Sequence, residues 1–180
     1  MQKSEPYNLE EIEEPKSKKV IIMILAIFLI ILILSWGIIR YPINTIIEGQ
    51  LKAESIKENQ IILKELTILF ENNTQTILSQ IYNTEQEGKL VETSVCLLGN
   101  KYGNEYHIKS IFYPEITEQT FRHVSFKSCP QNTLIMLHTH PFKHCLASET
   151  DITTLETVKK YNQDIVMIVM CEENKYSIYT

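Results

Sequence analysis

The chain has 180 residues, a formal net charge of −5 and 44% hydrophobic residues, which fits one compact domain of ordinary size with short flanking segments. The negative charge and the absence of a basic patch or repeat in the sequence argue against a nucleic-acid partner.

Residues 20–39 form a run of twenty residues without a charge. As an α-helix they would extend about 30 Å, which matches the hydrocarbon core of a bilayer. Trp36 and Tyr41 stand where an interfacial aromatic belt would be. A cleaved signal peptide is the alternative, but its apolar region is usually about 7–15 residues long and ends in an A-x-A-like site. We predict a polar tail at 1–19 and an uncleaved, single-pass transmembrane helix at 20–39 that lies in a lipid bilayer.

Basic residues flank this span on both sides: Lys3, Lys16, Lys18 and Lys19 precede it, and Arg40, Lys52 and Lys57 follow it. Positive charge on the cytoplasmic side sets the orientation of such helices, whereas acidic residues contribute little. The three lysines next to the N-terminal end of the span favour a cytoplasmic N-terminus and a C-terminal domain outside.

Residues 40–69 contain few helix breakers, and apolar residues recur near helical spacing at Ile56, Leu63, Leu66 and Phe70. The pattern predicts a helical stalk between the membrane span and the core, through which chains could self-associate.

Residues 70–180 alternate between strand-like and helix-like patterns. They predict helices at about 70–85 and 148–161, and strands at 90–99, 104–113, 120–126, 132–140, 164–171 and 175–179. This order indicates one α/β domain.

A cluster of polar residues follows the apolar strand at 133–137. Successive strand side chains alternate between faces, so His138 and His140 should emerge from one face before Pro141 ends the strand. After a seven-residue spacer, Ser148-x-x-Asp151 begins the next helix. Two imidazoles and one carboxylate suit a zinc ion with an open coordination position, as in hydrolytic sites. Taken singly, H-x-H is common on strands without metal, and S-x-x-D is also close to a capping box.

An upstream segment makes the pattern specific. Glu92 opens the sequence ETSVCLLG, which ends at Gly99 and has an apolar residue at Leu97. Together with the H-x-H and S-x-x-D spacing, this segment resembles the JAMM (MPN-type) zinc metallopeptidases, a family that removes ubiquitin and ubiquitin-like proteins. Val95 departs from the pattern, since the family often has glycine there. The resemblance covers roughly residues 70–180 and implies a curved mixed sheet flanked by helices, of cytidine-deaminase-like architecture.

The resemblance also implies roles for these residues. Zinc would be held by His138, His140 and Asp151, and it would lower the pKa of a bound water towards about 7. Glu92 would be the general base and not a ligand, and Ser148 would donate a hydrogen bond to the oxyanion. Considered alone, Glu92 is a solvated charge at a strand edge.

The remaining histidines have simpler interpretations. His107 and His123 are expected at surface or half-buried strand positions. His144 is expected at a solvated position in the loop between the ligands, and the alternative is that it reaches the metal region or the substrate.

The four cysteines do not form a zinc pattern. Cys96 and Cys171 lie in apolar runs and are expected to be buried thiols. Cys129 and Cys145 flank the ligand strand, and a disulfide between them would require the loop to fold back. Disulfides are favoured in oxidising compartments.

Three functions remain open. The first is a membrane-anchored zinc isopeptidase or peptidase that acts on ubiquitin-like protein conjugates. The second is an exocytoplasmic peptidase that acts on cell-wall or other peptides. The third is an MPN-type scaffold without catalysis, which the presence of every motif residue disfavours. The family's substrates are cytoplasmic, while the lysine bias places the domain outside, so the orientation stays open.

Overall fold

The computed structural model describes residues 16–40, 43–88, 90–120 and 123–180. They form two compact units, which divide between Ile43 and Asn44. The first unit contains helix α1 (Lys16–Arg40), whose side chains from Val20 to Leu34 are exposed. This apolar helix is long enough to cross a membrane, a criterion that a signal sequence also meets. Residues 1–15 of the predicted tail lie outside the described residues, and so does Tyr41.

The second unit begins within helix α2 (Ile43–Lys52) and continues as strands β1 (Glu54–Ser55), β2 (Gln60–Ile62) and β3 (Thr67–Phe70). The predicted helical stalk at 40–69 is therefore wrong beyond Lys52. Glu58 and Asn59 have positive φ angles of 51° and 61° in a two-residue turn, which no α-helix can contain. Self-association through this segment stays a prediction.

The remaining elements follow in the order α3 (Thr74–Gly88), β4 (Ser94–Tyr102), β5 (Glu105–Phe112), β6 (Ile116–Gln119), β7 (Val124–Phe126), β8 (Thr133–Thr139), α4 (Glu149–Lys159), β9 (Val166–Glu172) and β10 (Lys175–Tyr179). Eight strands form one mixed sheet in the order β1-β10-β9-β8-β4-β5-β3-β2. The pairs β3–β5 and β8–β9 are parallel, and the others are antiparallel. Strands β6 and β7 pair separately. The predicted α/β class and mixed sheet are confirmed, but strands β1, β2, β3 and β6 were not predicted.

The two faces of β8 pack against different helices. Ile135 belongs to the larger core cluster, which also contains side chains of α3. Met136 belongs to a second cluster with Leu155 of α4. Because strand side chains alternate, His138 and His140 share the face of Met136 and are directed to the side of α4. The prediction that both histidines emerge from one face is confirmed.

Gly99 of β4 lies close to the backbone of β5. A Cβ atom there would be 1.9 Å from the carbonyl oxygen of His107, so no other residue fits without moving the strand. A β-bulge at this position accompanies the close approach. Val95, the departure from the family pattern, is fully buried in the core cluster, so the fold accommodates it.

All four cysteines are paired, as Cys96–Cys129 and Cys145–Cys171. The prediction that Cys96 and Cys171 are buried thiols is therefore wrong, and Cys129 does not pair with Cys145. Cys96 alternates with the core residues Val95 and Leu97, so it is directed to the other face, where Cys129 packs. The closed loops span 33 and 26 residues. In the chain-entropy description each bond stabilises the fold by about 3.5 kcal/mol.

Candidate metal centre

Three side chains direct one donor atom each to a common point. The Nε2 atoms of His138 and His140 are 3.1 Å apart. Oδ2 of Asp151 lies 3.4 Å from the first and 3.7 Å from the second. Among the described residues, these three are the ones whose potential metal-ligating atoms cluster together. Both histidines are buried. The structure thus brings together the three ligands predicted from the sequence, in a group that could bind a metal ion.

Local hydrogen bonds explain this convergence. Beyond the end of β8, the backbone N–H of His140 donates to Met170 of β9 (2.9 Å). On the other side, Ser148 is the N-cap of α4 and forms a capping box with Asp151. The Ser148 backbone N–H and hydroxyl both donate to Asp151 Oδ2, each at 2.7 Å. The S-x-x-D motif is therefore a capping box and also places the Asp151 carboxylate beside the two histidines.

The protonation state of the His140 ring favours metal binding. Its Nδ1 lies 3.0 Å from the carbonyl oxygen of His144, which can only accept, so Nδ1 carries the proton. Burial, and next the neighbouring His138, lower the pKa of His140 to about 3. The ring is consequently neutral near pH 7, and the lone pair of Nε2 is directed into the ligand group.

The carboxyl group of Asp151 is ionised near pH 7. Burial alone would raise the pKa of its carboxyl group, but the hydrogen bond and charge of His138 and the bonds from Ser148 hold it below its usual range. The site therefore offers the neutral imidazole of His140 and the carboxylate of Asp151, with the His138 imidazole beside both.

Glu92 lies just before β4, beside the ligands. Its backbone N–H donates to Thr120 (2.8 Å), and its carbonyl accepts from the Gln119 side chain (2.9 Å). Its Oε1 is 3.6 Å from Nε2 of His140. Glu92 is only 7% exposed, which contradicts the alternative of a solvated charge. Burial raises its pKa to about 7, the charge of Asp151 adds to this, and His138 opposes it.

A cleft of about 170 Å³ opens beside these residues. Its walls include Glu92, Ser94, His123, Val124, Phe126, Met136, His138, Ser148, Thr150, Asp151, Thr154 and Met167. The position of His123 beside the site could not be predicted from the sequence, because the adjoining β6–β7 hairpin is placed by contacts with residues distant in the chain. His107 is half-buried, as predicted, and bonds to Glu71 (2.8 Å).

His144 differs from its prediction as a solvated loop residue. It is half-buried, and its ring Nδ1 lies 3.5 Å from Nδ1 of His140. Its contribution to the site is the backbone carbonyl that fixes the tautomer of His140.

Comparisons with known proteins do not indicate a function for this site. The similarity to the JAMM pattern consequently rests on the motif residues themselves and on their arrangement in space. The chain matches no model of a known protein family and no curated protein sequence.

Proposed function

We propose that the chain is a membrane-anchored zinc metallopeptidase that hydrolyses peptide or isopeptide bonds, as the resemblance to JAMM enzymes implies. The observation that carries this proposal is the convergence of His138, His140 and Asp151 beside the buried carboxyl group of Glu92. Zinc bonds of about 2.0–2.1 Å in a tetrahedron put ligand atoms about 3.3 Å apart. The observed separations of 3.1, 3.4 and 3.7 Å bracket that value.

The residues of the chain have distinct tasks in this reaction. Bound zinc would supply a water molecule of lowered pKa and positive charge for the developing oxyanion. Glu92 takes a proton from the attacking water and passes it to the leaving amine, for which a pKa of about 7 is suitable. The Ser148 hydroxyl donates to the oxyanion after rotating away from Asp151, its acceptor in the structure.

The disulfides favour one substrate class over another. Disulfides form and persist in oxidising compartments and are rare in the cytosol, and every cysteine of this chain is paired. The lysine bias before the apolar helix supports the same orientation. Both observations favour an exocytoplasmic domain that cleaves cell-wall or other extracytoplasmic peptides. A cytoplasmic conjugate of a ubiquitin-like protein is the other candidate, and it is supported by the motif resemblance alone.

Metal removal tests the proposed reaction. The full chain in detergent should cleave extended and isopeptide-linked peptides. A zinc chelator should abolish this cleavage, because the site would lose its Lewis acid, and one equivalent of zinc should restore it. Magnesium serves as the control ion, because it prefers oxygen ligands. Cleavage that persists after the zinc content has fallen to zero would contradict the proposal.

The apolar helix gives a separate prediction. Residues 20–39 should remain in the mature protein and resist alkaline carbonate extraction, because they bury far more apolar surface in lipid than a peripheral contact does. Protease added outside intact cells should digest the C-terminal domain. Replacing Lys16, Lys18 and Lys19 with neutral residues should weaken or reverse this orientation. Recovery of a soluble protein that begins after Trp36 would instead show a cleaved signal peptide.

A further inference from the structure

The loop that joins β8 to α4, residues 141–147, has an unfavourable backbone conformation. Phe142 and Lys143 have φ angles of 60° and 58°, in the left-handed region that residues with side chains seldom adopt. Such a conformation persists only where surrounding contacts hold it. We call this segment the ligand loop, since it connects His140 to the helix that carries Asp151.

One of the contacts that hold the ligand loop comes from α2. Nε2 of Gln50 donates to the carbonyl of Lys143 (3.0 Å) and to Sγ of Cys145 (3.2 Å). Oε1 of Gln50 accepts from the ammonium group of Lys175 in β10. The Gln50 amide therefore links α2, the ligand loop and the sheet.

The backbone of α2 also packs tightly against the loop. Gly49 is buried, and a Cβ atom there would lie 3.1 Å from the backbone nitrogen of Leu146 and 3.2 Å from Cβ of Cys145. Any larger residue at position 49 would press on the ligand loop. The contact between α2 and the loop is thus a close backbone packing in addition to two hydrogen bonds.

The two residues that Gln50 contacts lie on either side of His144. The carbonyl of His144 accepts the Nδ1–H of His140, and Cys145 is tied covalently to Cys171 at the end of β9. Carbonyls that accept from a ligand histidine fix its tautomer and ring orientation. The position of the His144 carbonyl consequently depends on how firmly Lys143 and Cys145 are held.

We propose that Gln50 is a positioning residue of the metal centre. It holds the ligand loop so that the His144 carbonyl keeps Nδ1 of His140 protonated and Nε2 directed at the other ligands. The inference rests on the proposed metal-binding function of the site. It also assigns a role to α2, which begins three residues after α1 ends in the chain: this helix contributes to the metal centre as well as linking the domain to the membrane span.

Two substitutions test this role in the full chain in detergent. Gln50→Ala removes the two hydrogen bonds to the loop and the one from Lys175, whereas Gln50→Glu keeps an acceptor for Lys175 and loses the donor to the loop. Both should weaken zinc binding, measured by competition with a chromophoric chelator, by about threefold to tenfold, which is less than the 10–100-fold effect of groups bonded directly to a ligand. Glu48→Gln, at an exposed position of the same helix, is the matched control and should leave the affinity unchanged.

A second readout does not require metal. Nitrogen NMR of the imidazole groups in metal-free protein should show His140 as the Nδ1–H tautomer in the wild type and as a mixture of tautomers in both Gln50 variants. A tautomer change without zinc binding by the wild type would overturn the proposed function but support the positioning role. Wild-type zinc affinity and an unchanged tautomer in a folded Gln50→Glu protein would overturn that role. Should Gln50→Ala fail to fold, Gln50→Glu alone decides, with its melting temperature compared with that of Glu48→Gln.

Discussion

Glu92→Gln is expected to reduce hydrolysis by about 10²–10⁴-fold, the usual contribution of a general base, and to leave the zinc content unchanged. The amide cannot accept the proton of the attacking water, but it occupies the same volume in the buried position beside His140. Single-turnover rates together with metal analysis of the same preparation measure both effects. Loss of zinc as complete as in His140→Ala would show that Glu92 is a ligand and would contradict its assigned role.

The same variant should change the pH dependence of stability in metal-free protein. Burial raises the pKa of Glu92 from 4.5 to about 7, so the folded state binds this proton more tightly than the unfolded state does. The free energy of unfolding therefore decreases as pH rises from about 4.5 to 7, by up to about 3 kcal/mol. Glutamine does not ionise. Above pH 7 we therefore expect Glu92→Gln to melt at a higher temperature than wild type, and an equal or lower melting temperature would contradict the buried position.

His140→Ala should cause the largest loss of metal, from one zinc per chain towards none, and hydrolysis should fall with it. The substitution removes a ligand whose tautomer is already fixed for binding, and it leaves His138 and Asp151 as an incomplete set. Asp151→Asn should lower both metal affinity and activity. It should also lower the melting temperature of the metal-free protein, because Asp151 is the N3 residue of the capping box and a neutral amide accepts the Ser148 hydrogen bonds less strongly than a carboxylate does.

His107→Ala is the control for this experiment. His107 is half-buried and bonds to Glu71 and Glu105, and it is not part of the ligand group. It should keep one zinc per chain and wild-type activity. Equal zinc contents in His140→Ala and His107→Ala would rule out the site, whatever the activities are.

The three candidate ligands could be predicted from the sequence because short-range rules place them. Strand alternation puts His138 and His140 on one face, and the N-cap at Ser148 fixes Asp151 in the first turn of α4. The other parts of the site depend on distant segments. Gln50 reaches the loop from a helix about ninety residues earlier, and no local pattern marks such a contact.

The segment predicted to be a helical stalk shows more clearly where hydrophobic periodicity fails to predict secondary structure. Ile56, Leu63, Leu66 and Phe70 have helical spacing, yet the chain from Glu54 to Phe70 contributes three strands to the sheet. Strand β3 pairs in parallel with β5, where Ile68 lies opposite Tyr106. A partner strand that is distant in the chain decides the conformation here, because strand preference depends on packing against neighbours more than on intrinsic propensity.

The pairing of β1 with β10 affects when the domain can fold during synthesis. Glu54 lies opposite Tyr176, so one edge of the sheet joins the first strand of the domain to the last. Contacts this distant in sequence form slowly, and the chain leaves the ribosome from its N-terminus. His138, His140 and Asp151 are therefore synthesised before β9 and Cys171, which hold the ligand loop in place. The arrangement of the candidate ligands can therefore become stable only after β9 and Cys171 have been synthesised and, in an exported domain, translocated.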